Sequence, residues 1–362
     1  MELQHRKKLN GEISRVIRQA LRISLYNPPL AWFFLKTLLR QRNAAVKREL
    51  WEEEGIHVPP FMIASITRRC NLNCVGCYAR AQQRSGNQEL PATRLNELMD
   101  EARDLGFAFA LLAGGEPLTR PEILDVTAAH PEIIFPLFTN GMLLSGALLA
   151  RIAGQKNVIP VLSLEGLEGE TDNRRGRGVY KHLLQTMSLL KQKHVFFGIS
   201  LTVTRKNIDL VTSEAFVRQL AQRGCRLFFY VEYIPVKEKT EDLVVSPAQR
   251  EELERSMGAL RRRFNRLFIS FPGDEHSYGG CLAAGRGFVH ISPEGGLEPC
   301  PFAPYTDTNL RFTSLKEGLG SVFLNRIRQS DEHLDETEGG CALWNKREWV
   351  QSLLVNTSAK IA

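Results

Sequence analysis

Six times between Phe61 and Tyr233 the chain runs apolar, β-branched or aromatic and then turns to helical spacing. The runs are Phe61–Ile66, Phe107–Ala113, Ile133–Thr139, Val158–Leu164, Phe196–Val203 and Arg226–Tyr233. Helical spacing between them is clearest in Leu95, Leu98, Met99, Ala102 and Leu105, closed by Gly106, and in Phe216, Val217, Leu220 and Ala221, closed by Gly224. Strands that are nearly continuous in apolar residues, alternating with helices, predict an α/β fold whose parallel sheet is covered on both faces. Periodicity alone leaves an open doubly wound sheet and a partial barrel equally available.

The flanks read differently. Residues 1–58 predict helices: Leu9, Ile13, Val16, Ile17, Ala20 and Leu21 recur at helical spacing and Asn27-Pro28-Pro29 breaks the pattern. Leu30, Trp32, Phe33, Phe34, Leu35, Leu38 and Leu39 then open a second, more apolar helix. Residues 59–240 carry the six strand and helix units. Residues 241–270 predict a linker helix, with Ser246 as cap and Pro247 at its first position, followed by a strand. Residues 271–362 predict a small α+β module, with a hairpin at Glu294-Gly295-Gly296 between Phe288–Ser292 and Leu297–Cys300.

Composition is that of a globular protein, with 43% hydrophobic and 24% charged residues in 362. No apolar run reaches membrane-spanning length, and MELQHRKKLNGEISR lacks the core of a signal peptide, so the expectation is a cytoplasmic protein. Charge is uneven. Residues 1–50 hold eleven Lys or Arg against three Glu, a balance of +8 in a chain whose total is +7. The rest of the chain is therefore close to neutral, which argues against a nucleic-acid-binding surface. A basic amphipathic helix followed by an aromatic-rich one fits peripheral contact with an anionic membrane, and it equally fits helices that pack on the sheet.

Seven cysteines remain to be explained, and three of them, Cys70, Cys74 and Cys77, fall within eight residues directly after the first strand. Three thiolates on one loop can hold three corners of a 4Fe-4S cube and leave the fourth iron open. A zinc site would want a second close Cys or His pair downstream, and none follows at the usual spacing; an odd total fits poorly with full disulfide pairing.

The run CNLNCVGCY resembles the C-x3-C-x2-C signature of the radical SAM superfamily, with Tyr78 as its nearby aromatic residue. That resemblance implies a six-stranded partial (β/α) barrel with the cluster loop after the first strand. It implies that the open iron chelates S-adenosylmethionine and that reductive cleavage yields a 5′-deoxyadenosyl radical. Further motifs follow in the family's order. Gly114-Gly115-Glu116-Pro117 resembles its GGEP turn, where glycines let backbone carbonyls approach the cofactor's ammonium group. Ser163-Leu164-Glu165-Gly166 is similar to its SxEG element, and Asp172-Asn173-Arg174-Arg175-Gly176 to an element whose arginine, here Arg175 with Arg174 beside it, meets the cofactor carboxylate. Asn140 in Thr139-Asn140-Gly141 is a further expected cofactor contact, and Thr202-Val203-Thr204-Arg205-Lys206-Asn207 after strand five, with Thr202 as a contact, and Glu232-Tyr233-Ile234-Pro235 after strand six resemble stretches that frame the cofactor. Each such tetrapeptide alone is ordinary turn chemistry.

Cys281, Cys300 and Cys341 resemble the opening and close of SPASM/twitch domains, which carry auxiliary iron-sulfur clusters. The full SPASM set has about seven cysteines, so these three imply at most one further cluster. His290, Glu298 and Asp307 are candidates for its fourth ligand. Cys225 reads as a small hydrophobe in the core. The resemblance implies an enzyme that takes hydrogen from a substrate with electrons from a donor such as flavodoxin or ferredoxin. A small molecule or lipid is the favoured substrate, with peptide maturation as one alternative and a non-catalytic electron carrier as another.

Overall fold

The computed structural model describes residues 3–82, 88–271, 275–334 and 341–358. Two long helices come first, α1 (Leu3–Ile23) and α2 (Pro28–Glu53). Asn27 caps α2 by accepting a hydrogen bond from the Leu30 amide, and the two prolines occupy a first turn where no amide donor is needed.

The expected strands follow as β1 (Phe61–Ser65), β2 (Phe109–Ala113), β3 (Phe135–Thr139), β4 (Val158–Leu164), β5 (Gly198–Val203) and β6 (Leu227–Glu232). Three more join them: β7 (Leu267–Phe271), β8 (Phe288–Ile291) and β9 (Leu297–Glu298). All nine form one sheet in the order β7-β6-β5-β4-β3-β2-β1-β8-β9, parallel except for the β8–β9 hairpin. The sheet curls into a half-barrel, so the partial barrel stands and the strand count of six is corrected to nine. The reason is at the edges. Six strands would leave β1 and β6 with rows of unpaired amides and carbonyls; β8 takes one edge and β7 the other.

The strand register sorts side chains between two faces. Ser65, Ala113, Phe138, Ser163, Ser200, Thr202 and Val231 share the concave face, and His290 joins them from β8. Most of that face is half-exposed, whereas the alternate positions are buried under the helices. Cys225, just before β6, is fully buried, and burial pushes its thiol up to about 12, as expected for a packing residue.

The N-terminal helices close one end of the barrel. Gly106 caps the helix Ala92–Leu105 at φ +97°, and a side chain there would meet the Ala44 carbonyl of α2 at 2.7 Å. Arg40 donates to the Pro131 carbonyl at 2.8 Å, and Phe34 meets Phe196 edge-on with centroids 5.2 Å apart. Residues 106, 131 and 196 all precede strands, so α2 lies across the N-terminal ends of the sheet, which form the floor. Loops at the C-terminal ends form the opposite, open mouth.

Candidate functional site

At the mouth, the cysteine loop leaves β1 and is held down by the backbone of the next loop. Ile66 donates to Ala113, Gly115 to Thr67 at 2.7 Å and Glu116 to Arg69 at 2.8 Å. This contact explains the glycine pair. A Cβ at Gly115 would lie 2.3 Å from the Arg69 carbonyl, and one at Gly114, where φ is +124°, 2.5 Å from the Thr67 carbonyl. The glycines let the turn lie directly against the cysteine loop.

Glu116 is wholly buried and holds three groups at once. Its carboxylate accepts from the Thr139 hydroxyl at 2.8 Å, the Asn140 amide at 2.7 Å and the Leu118 amide at 3.1 Å. Burial pushes this carboxyl up from its ordinary range, while the three donors pull it back. Asn140, so fixed, directs its side-chain amide to the Asn71 side-chain Oδ1 at 2.7 Å and toward the Cys70 sulfur at 3.8 Å. A relay of Glu116, Asn140 and Cys70 therefore links loops from β1, β2 and β3.

Glu165, after β4, is the second buried carboxylate. It accepts from Arg174 at 2.7 Å and from Arg175 Nε at 2.9 Å. The two residues expected to meet the cofactor separately are paired with each other here. Desolvation draws the Arg175 guanidinium down, but the carboxylate of Glu165 and the nearby Cys74 and Cys77 outweigh it and raise it. Burial likewise pushes the Cys74 thiol up and Arg175 opposes it. The Cys70 thiol is raised by burial against the Leu72 amide, which donates to its sulfur at 3.5 Å. The Val75 amide donates to the Arg174 carbonyl at 2.8 Å and Arg174 Nε donates to the Val75 carbonyl at 3.2 Å, which ties the β4 loop to the cysteine loop. Ser163 and Thr202 face the concave side, and the Thr202 carbonyl accepts from Asn207.

Cys70 is exposed and Cys74 and Cys77 are half-buried, all as free thiols. Among the described residues no three metal-ligating side chains converge on a single ion. A 4Fe-4S cube would hold its thiolates at separate corners, and the free thiols here stand beside an arginine and an amide donor that suit the charged thiolate form.

The C-terminal cysteines form a different environment. Cys281, Cys300 and Cys341 are buried, and desolvation holds the first two thiols well above their ordinary range, with the three cysteines acting on one another. Tyr78 lies between the two sets: its ring meets Phe302 edge-on at 5.2 Å, and burial together with Cys77 and Cys300 pushes its phenol up. The candidate fourth ligands have other partners. His290 bridges Ser65 and Glu298, each at 2.8 Å, and Asp307 accepts from the Ser321 hydroxyl and the Phe323 amide.

Several residues of the site carry no motif. Glu89 accepts from Thr67 and from the Arg68 amide, and Arg68 forms a two-pronged pair with Glu294 of the β8–β9 turn. Two residues of the expected stretches act here as well: Asn207 joins the Glu165 and Thr202 carbonyls, and Tyr233 packs its ring edge against Gly76, between Cys74 and Cys77.

Residues 64–209 match the model of the radical SAM superfamily. Among curated proteins, an AdoMet-dependent heme synthase of Methanosarcina barkeri is 27% identical over 316 residues, 79% of this chain and 89% of that protein. A mycofactocin maturase of Mycolicibacterium smegmatis is 26% identical over 318 residues, 80% of this chain and 79% of that protein. Among solved structures, Streptococcus suis SuiB bound to S-adenosylmethionine shares the fold, with TM-score 0.64 at 20% identity over 84% of this chain and 82% of that one.

Proposed function

The chain is an enzyme of the radical SAM superfamily, and from that premise we propose that Cys70, Cys74 and Cys77 hold its 4Fe-4S cluster at the barrel mouth. The observation that carries this reading is the built surround of the cysteine loop: two buried carboxylates, Glu116 and Glu165, fix loops from three strands, β2, β3 and β4, around it. When bound, the cluster supplies the electron that splits S-adenosylmethionine into methionine and a 5′-deoxyadenosyl radical.

The protein's part is positioning. The Asn140 amide donates toward Cys70, which favours the charged thiolate a metal requires. Arg175 supplies positive charge beside Cys74, and its fork suits a carboxylate. Gly114 and Gly115 let the turn lie against the cysteine loop while Pro117 restricts its backbone, and Ser163, Asn140, Thr202 and Tyr78 offer polar edges to S-adenosylmethionine. The concave wall sets Ala113, Phe138 and Val231 among Ser163, Ser200 and Thr202, so a substrate there would meet both apolar surface and hydroxyls.

We assign Cys281, Cys300 and Cys341 to one auxiliary iron-sulfur cluster. Their mutual proximity and burial support it, and Tyr78 sits between the two cysteine sets. The Cys281→Ala/Cys300→Ala/Cys341→Ala variant should lose about half of the bound iron. Unchanged iron content rejects this assignment.

The substrate we propose is a small organic molecule, with electrons supplied by a flavodoxin or ferredoxin in a reducing cytoplasm. The heme synthase relative supports it. Peptide maturation is the second reading, favoured by the mycofactocin maturase and by the SuiB structure solved with a precursor peptide. A mere electron carrier is not retained, because the relatives are named as enzymes.

The test is anaerobic reconstitution followed by chromatography of 5′-deoxyadenosine with a strong reductant. Wild type should form it, and Cys70→Ala, Cys74→Ala and Cys77→Ala should not; undiminished product in any of them removes the proposal. Stimulation by a cell-extract fraction that survives protease treatment supports the small molecule, and loss of stimulation after protease supports a peptide.

A further inference from the structure

The second helix is inverted. Its inner face, pressed on the barrel floor, buries Gln41 and Arg48 beside Leu30 and Phe34, and both polar atoms of the Gln41 amide find no partner among the described residues. Its outer face carries Trp32, Leu35, Leu39, Val46 and Leu50, which are 57, 39, 54, 56 and 55% exposed. Successive separations of three, four, seven and four residues place these five on one stripe. Leu25 and Tyr26, at 67 and 54% exposure, extend it around the corner from α1. A helix on a water-facing surface has the opposite arrangement, and an exposed apolar stripe of this length marks a surface that is covered when the protein works.

Charge points to the cover. The stripe is flanked by exposed Lys36, Arg42 and Lys47, within a segment whose first fifty residues balance to +8. Acidic residues gather only at the far end, as Glu49, Glu52, Glu53 and Glu54. The aromatic residues at the basic end are each paired with a cation: Lys36 lies 5.0 Å from the Trp32 ring centre, and Arg226 lies 4.5 Å from that of Tyr26. Apolar side chains bordered by Trp, Tyr, Lys and Arg match the layered chemistry of an anionic lipid surface, where rings sit at headgroup level beside cations. No described helix is long and apolar enough to cross a membrane, so the contact is with the surface.

We infer that the outer face of α2 docks the enzyme on anionic lipid, entering with the Trp32 end. The proposal stands independently of the substrate reading, but it constrains that reading. The inner face of α2 covers the floor of the barrel, so docking turns the mouth away from the bilayer. Substrate then arrives from the aqueous side, and the lipid is an anchor.

The experiment is flotation of the full chain with phosphatidylcholine vesicles, with and without phosphatidylglycerol. Wild type should float with the phosphatidylglycerol vesicles at low salt and be released at high salt. Lys36→Gln/Arg42→Gln should lower the bound fraction by about tenfold or more, and Trp32→Glu/Leu39→Glu should abolish it. Both variants should keep the wild-type melting temperature and 5′-deoxyadenosine formation, because the altered side chains face solvent. Failure of wild type to float at low salt overturns the proposal, as does undiminished flotation of Trp32→Glu/Leu39→Glu. A wild-type dimer that this variant converts to a monomer, without flotation, overturns it in favour of a second copy as the occupant.

Discussion

The two ends of the barrel are made from the same strands and hold together in different ways. At the mouth, order comes from charged and polar side chains that reach across loops: Glu116 to the β3 turn, Glu165 to Arg174 and Arg175, Arg68 to Glu294. At the floor it comes mainly from apolar packing, with Phe34 on Phe196 and the buried stripe Leu9, Ile13, Ile17 and Ala20 of α1. Polar bonds of fixed direction set positions, which is what a cofactor site needs, whereas packing supplies stability with little directional demand. The division predicts that mouth residues control turnover and floor residues control melting.

The largest expected effect is at the mouth. Cys74→Ser should reduce 5′-deoxyadenosine formation by about a thousandfold or more while the melting temperature of the metal-free chain stays close to wild type, measured by product chromatography and calorimetry. Gly115→Ala is the place where the division should break. Its new methyl has to displace the Arg69 carbonyl, so turnover should fall about a hundredfold and stability by about 1–3 kcal/mol together. A variant that melts normally with full activity would show that the turn is not locked on the cysteine loop. Glu116→Gln keeps the shape but places a donor among three donors. Activity should drop about tenfold and, because the native carboxylate already bears a desolvation penalty, stability should change by less than about 2 kcal/mol. Phe34→Ala sharpens the other side: about 3 kcal/mol or more of stability lost, seen in denaturant titration, with 5′-deoxyadenosine per folded molecule unchanged.

How far the sequence reached follows the same division. The six barrel strands, the helix caps at Asn27, Gly106 and Ser246 and the β8–β9 hairpin all depend on residues near one another in the chain, and local pattern registers them. Strands β7 and β8 were not legible as barrel strands, because joining the sheet depends on which edges are left free. In the site, the cysteine loop and the Gly-Gly-Glu-Pro turn were visible as motifs. Glu89 and Arg68 were not, since each acts on partners chosen by the fold; Arg68 and Glu294 lie 226 positions apart. The pairing of Glu165 with Arg175 was half visible, as two candidate residues in neighbouring motifs with no sign that one would take the other.

The position of β1 has a consequence for how the enzyme is made. β1 lies between β2 and β8, and Phe61 is in register with Phe109 on one side and Phe288 on the other. During synthesis the second partner does not exist until most of the chain has left the ribosome, a delay of roughly tens of seconds at ordinary elongation rates. Through that interval the strand that launches the cysteine loop has one open edge, and Glu294, which clamps Arg68 beside the loop, is still to come. The nascent chain thus has a period in which the strand that launches its first three thiols is paired on one side only, and closure of the β1 edge by β8 ends it.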